Sequence, residues 1–126
     1  MPNNIPSSAK VVVIGGGVAG CSVAYHLAKY GWKDVVLLER DQLTSGTTWH
    51  AAGLVGQLGA SATITKFRKY SLDLYKQLEK ETELSTGLKQ NGAVTVATTT
   101  SRLDELKRQA TTAQLFDVEA NILNPS

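Results

Sequence analysis

Three consecutive glycines, Gly15-Gly16-Gly17, stand directly behind the apolar run Lys10-Val11-Val12-Val13-Ile14 and before Val18-Ala19-Gly20. A short, continuous β-branched run that enters glycines without a polar break predicts a central parallel strand covered on both faces. Gly15, Gly17 and Gly20 satisfy the spacing G-x-G-x-x-G. The first glycine permits a tight turn, the second lets backbone N–H groups approach a pyrophosphate, and the third lets a helix lie close on the strand. The N-terminus of that helix offers a fractional positive charge to the phosphate.

The motif is weak alone, and the residues after it decide its meaning. A helix is predicted to about Tyr30 and to stop at Gly31, where a left-handed cap meets no Cβ clash. Gly20, Ala24 and Ala28 form a small-residue stripe for close packing on a sheet, with Val23 and Leu27 beside it as core. Val35-Val36-Leu37-Leu38 reads as a second buried strand, closed by Glu39. An acid about 20 residues beyond the glycines is placed to accept hydrogen bonds from a ribose hydroxyl pair and to repel a 2′-phosphate. The order strand, glycines, small-faced helix, strand, acid therefore predicts an α/β, Rossmann-like βαβ unit for FAD or NAD and not NADP. Arg40 is a candidate for contact with adenine or phosphate, or an exposed basic residue after a strand.

FAD and NAD are not separated by the glycines. The next segment, Thr44-Ser45-Gly46-Thr47-Thr48-Trp49-His50, places four hydroxyls and a flexible backbone in one turn, suited to phosphate and ribityl groups. A solvated Ser/Thr loop would explain the hydroxyls but not the Trp-His beside them. Trp49 shields a cofactor or packs in the core, the second being the commoner use of tryptophan.

The run Thr44 to Leu54 resembles the flavin-attachment segment of the sarcosine and dimethylglycine dehydrogenases, amine-oxidising flavoproteins of the D-amino-acid-oxidase-like superfamily. Gln90 to Ala97 and Arg102 to Lys107 come after it in family-like order. The resemblance implies FAD as cofactor, with Gly15, Gly17, Gly20 and Glu39 holding its ADP half and His50 bonded covalently to the flavin 8α-methyl group. A backbone-bonded loop histidine, or a noncovalent neighbour of the flavin, are the alternatives for His50. The implied reaction is oxidation of an N-methylated glycine by hydride transfer to flavin, with the carbon released as formaldehyde or passed to a folate. A folate and an electron-acceptor protein are implied as further partners. Two rivals remain: an oxidase with noncovalent FAD acting on another amine or amino acid, and a nonenzymatic homologue resembling the regulatory subunit of pyruvate dehydrogenase phosphatase.

Beyond this segment, Ile64, Phe67, Leu74 and Leu78 share one face of a predicted amphipathic helix, with Tyr70 and Tyr75 as core-edge aromatics. Asn91-Gly92 is a turn signal, and Ala93 to Ala97 alternates like a strand. Ser101 with Asp104 marks a helix start, and Leu103, Leu106, Ala110, Ala113 and Phe116 continue as its stripe until Asn124-Pro125. By the resemblance, residues 1–87 begin an FAD-binding domain and 88–126 begin a substrate-binding α+β domain. A two-domain flavoenzyme needs several times 126 residues, so the expectation is the N-terminal piece of a longer enzyme, itself inactive. No catalytic base or substrate clamp is visible.

At 42% hydrophobic and 19% charged residues, the composition is that of a folded globular protein without a membrane span. A net charge of +2 from scattered Lys and Arg gives no nucleic-acid footprint. Cys21, the sole cysteine, excludes an internal disulfide and a cysteine-based zinc site and reads as a free buried thiol. His26 reads as a partly exposed helical histidine. Met1 to Ser8 carries neither an apolar h-region nor an Arg-rich presequence pattern, so the cytoplasm is expected, with the mitochondrial matrix as alternative.

Overall fold

In the computed structural model, which describes residues 6–124, the first strand forms where the β-branched run dictates. β1 (Val11–Ile14) pairs in parallel with β2 (Val35–Leu38), in the register Val11 to Val35 through Ile14 to Leu38. Helix α1 (Val18–Lys29) connects them, which gives the predicted βαβ unit. Its end is built by Gly31 at φ +80. The Gly31 N–H donates to the Ala28 carbonyl and the Trp32 N–H to the Leu27 carbonyl, both at 3.0 Å. This is a Schellman cap, and it satisfies carbonyls that the helix itself leaves orphaned.

The expectation of a strand covered on both faces is corrected. Exposure alternates along β1, with Val12 at 49% and Ile14 at 86%. Side chains of a strand alternate between faces, and α1 packs on only one of them. Val13 lies on the covered face, its Cγ1 3.4 Å from where a Gly20 Cβ would stand. Val23 is also exposed and not core, although it neighbours the small-residue stripe.

The chain divides into two compact units between Gly53 and Leu54. The second contains α2 (Ala62–Thr82) and α3 (Thr100–Gln114). The amphipathic helix predicted around residues 64–78 is present as α2, but its buried positions are Thr65 and Leu72, while Ile64, Phe67 and Tyr70 are exposed. Thr65 tolerates being only 1% exposed because its hydroxyl is satisfied twice. It accepts from the Gly59 N–H and donates to the Ser61 carbonyl, both at 3.0 Å.

Helix α3 starts from Thr99, whose hydroxyl accepts from the Arg102 N–H at 3.2 Å, and not from Ser101. Such a cap contributes about 1 kcal/mol. The helix ends at Gln114, short of Asn124, and Pro125 lies outside the described residues. Ala113 of the expected stripe is buried. Ala93 to Ala97 forms no strand among the described residues, although Gly92 adopts a positive φ of +75. Alternation supplies the faces of a strand but not a partner to bond its backbone. Among the described residues no helix is long and apolar enough to cross a membrane.

Candidate functional site

The first unit gathers most of the sequence-singled residues at the end of β1. Gly15 takes φ +101, a conformation that a Cβ strains, and its N–H donates to the Leu38 carbonyl at 2.8 Å. The chain thereby leaves the sheet in one residue. Gly17 is the extended N-cap of α1 and offers no side-chain cap. Gly20 fulfils the close-approach role, since a Cβ there would stand 1.8 Å from the Gly15 carbonyl oxygen. The first turn of α1 holds no acidic residue of its own.

Glu39 bends back from the end of β2 onto this turn. Its Oε2 accepts from the Gly16 N–H at 2.7 Å and its Oε1 from the Asp41 N–H at 3.1 Å. Those bonds, the Gly16 one foremost, hold the carboxyl below its ordinary value of 4.5, with a smaller contribution from the charge of Arg40. A carboxylate held down in this way fastens the turn above the pKa of an unfolded glutamate, and the fastening is lost as pH falls through the lowered value. Wild type and Glu39→Gln are therefore expected to differ in thermal midpoint near neutral pH and to converge as pH falls from the ordinary value of 4.5 through the lowered one. A difference that persists in acid would assign the effect to packing instead of charge.

Gly16, which the motif leaves without a role, is the buried centre of the arrangement. Its N–H holds Glu39, and its carbonyl accepts from the Thr44 N–H at 2.9 Å and from the Cys21 thiol at 3.3 Å. Cys21 is thus free but only partly buried. Three glycines in a row was the available signal, since the motif itself requires only the outer two.

The hydroxyl segment is docked beside the turn. Thr44 adopts φ +67, and Thr47–His50 forms a single 3-10 turn. The Thr48 hydroxyl accepts from the Val18 N–H at 2.9 Å. Ser45 instead donates locally to the Gln42 carbonyl at 2.8 Å. Arg40, Gly46, Thr47 and His50 are exposed. Trp49 is 77% exposed, which corrects the core alternative considered for it. His26, on α1, is partly buried and its Nδ1 lies 2.7 Å from the Ser22 carbonyl.

A turn with a positive φ, backbone approach that excludes side chains and an acid at the second strand's end fit the ADP half of a dinucleotide. Comparison with known proteins agrees in kind. The family model described as FAD dependent oxidoreductase (DAO) matches residues 10–126. The chain is 47% identical over 123 residues to the human protein named sarcosine dehydrogenase, mitochondrial, covering 97% of this chain and 13% of that one. It is 46% identical over 117 residues to rat dimethylglycine dehydrogenase, mitochondrial, covering 93% of this chain and 14% of that one. The mouse regulatory subunit of pyruvate dehydrogenase phosphatase, also named mitochondrial, is 41% identical over 121 residues, covering 96% of this chain and 14% of that one. The chain thus spans about an eighth to a seventh of the length of these curated relatives. Their names lend no support to the cytoplasm expected from residues 1–8.

Proposed function

Because this chain belongs to the DAO family of FAD-dependent oxidoreductases, we propose that it forms the N-terminal part of an enzyme that oxidises an N-methylated glycine of the sarcosine or dimethylglycine type. In this reading Gly15, Gly17 and Gly20 shape the turn that holds the ADP half of FAD at the start of α1, and Glu39 takes the adenosine ribose. Arg40, Thr44, Ser45, Gly46, Thr47 and Thr48 border the remainder of the cofactor, and His50 is its covalent attachment point. Residues 88–126 begin the substrate-binding domain. The compartment is the mitochondrion, as the names of the similar dehydrogenases suggest.

The observation that carries the reading is the Thr44 to His50 run seated on the glycine turn. Thr44 donates to Gly16, and Thr48 accepts from Val18. A flavin-attachment segment must stand within one FAD's length of the nucleotide turn, because one cofactor reaches both. When bound, FAD would supply a two-electron acceptor for the hydride of an N-methyl carbon, and water would hydrolyse the iminium left on the substrate to demethylated amine, formaldehyde and a proton. The residues of this chain bind and orient. The turn fixes the phosphate end, Glu39 ties the turn to the end of β2, and the imidazole of His50 is the nucleophile for the attachment. A folate and an electron-acceptor protein would serve the intact enzyme as partners.

The full-length protein should carry a flavin absorbance that sarcosine or dimethylglycine bleaches under anaerobic conditions. Flavin that no N-methylated amine bleaches would overturn the reading. A second reading, a nonenzymatic regulatory homologue, is favoured by the match to the phosphatase regulatory subunit over nearly the whole chain. Absence of bleaching in a protein that still binds FAD would favour it.

A further inference from the structure

The helix that the glycine turn feeds is capped from far along the chain. Gly17, its N-cap, has no side chain, and the N–H of Val18 is taken by the Thr48 hydroxyl, 30 residues away, at 2.9 Å. The fit is close, since a Cβ on Gly17 would stand 3.0 Å from that oxygen. The segment carrying Thr48 is internally tied. The Trp49 N–H lies 3.1 Å from both the Thr44 and the Gly46 carbonyls, and the Ala51 N–H donates to the Thr48 carbonyl at 3.2 Å. A second tie to the turn runs from the Thr44 N–H to the Gly16 carbonyl at 2.9 Å. Residues 44–51 therefore hang on the turn at two points. Thr44 uses its backbone for this, which any residue could supply, whereas Thr48 uses its side chain.

We propose that Thr48 is a positioning residue, whose hydroxyl latches the attachment segment onto the start of α1 and so sets where His50 stands. His50 lies two residues further along the same 3-10 turn, Thr47–His50. A shift of Thr48 is carried to His50 through the backbone of that one 3-10 turn. The hydroxyl's task is thus distinct from contact with phosphate, and it couples the geometry of the nucleotide turn to that of the attachment site. The proposal rests on the reading of His50 as the point of attachment.

Thr48→Val in the full-length protein keeps the branched shape and removes the acceptor, whereas Thr48→Ser keeps the hydroxyl. Two quantities are read: hydrogen exchange at the Val18 amide and across residues 44–51, and the fraction of bound flavin that stays on the protein after acid denaturation. Thr48→Val should speed exchange at Val18 by about three- to tenfold, the factor one capping hydrogen bond is worth. It should also lower the acid-stable fraction of bound flavin, and Thr48→Ser should restore both. Should valine not be accommodated, Thr48→Ala is read in the same way. Unchanged exchange at Val18, or an unchanged acid-stable fraction despite faster exchange, overturns the proposal. If wild type releases all its flavin in acid, the reading of His50 fails by itself, and exchange alone then decides whether Thr48 is the latch.

Discussion

Gly20→Ala is expected to destabilise the nucleotide turn severely, with the thermal midpoint of the full-length protein lowered and its bound flavin lost together. Two effects oppose each other at this position. Alanine in place of a helical glycine gains up to about 1 kcal/mol of helix propensity. Against this, the new Cβ would stand 1.8 Å from the carbonyl oxygen and 3.0 Å from the carbonyl carbon of Gly15. Both are backbone atoms, fixed by the bond from the Gly15 N–H to Leu38, so no side chain can swing aside. Overpacking typically costs about 1–3 kcal/mol where side chains can adjust, and a backbone clash of this depth belongs at the top of that range or above it. The clash wins. Gly46→Ala is the control: a Cβ there meets nothing within 4 Å, and φ is −82. Equal midpoints for the two variants would show that α1 does not approach the end of β1 so closely.

His50→Ala should abolish protein-bound flavin on a denaturing gel while leaving the fold nearly untouched. His50 is exposed on a short 3-10 turn, and substitutions at such positions usually fall within about 0.5 kcal/mol. The ADP contacts proposed for the glycine turn and Glu39 do not depend on it, so the variant should still bind FAD, now released by acid. Amine oxidation should slow, since the ring is less fixed and its electronics altered. Wild type that gives up its flavin freely in acid would remove the covalent role and leave the noncovalent oxidase as the better description.

Much of the first unit was legible because its signals are local. The β-branched run, the glycines and Gly31 each act on their own few residues, and β1, α1 and β2 form where they point. Burial was less legible, since it is a property of neighbours. Val12 and Ile14 are as apolar as Val13, and only the placement of α1 separates the covered face from the open one. Thr65 displaced Ile64 as a buried position through two hydrogen bonds that no periodicity encodes. Thr99 and Ser101 carry equivalent hydroxyls, and the choice between them depends on where the preceding chain turns. Within the site, Glu39 was legible as an acid at the right interval. Its bond to Gly16, and that of Thr48 to Val18, join residues far apart in sequence and were not.

Those two bonds bear on the order in which the chain folds. Helix α1 can form from its own residues, but the turn that precedes it is fastened by Glu39 and Thr48, at separations of 23 and 30 residues. Closing the longer loop costs only about 0.2 kcal/mol more in chain entropy than closing the shorter one. With the first fastening made, only about 11 residues (39 to 48 and 16 to 18) remain to be closed by the second, roughly 0.9 kcal/mol cheaper than closing the longer loop alone, so each fastening favours the other. During synthesis, where domains mature from the N-terminus, the nucleotide turn stays unfinished until Thr48 has left the ribosome. By then β1, α1 and β2 are already out, so the turn is completed only after both strands and the helix, and a nascent chain ending at Glu39 would hold all three with at most one of the two side-chain ties on the turn between them.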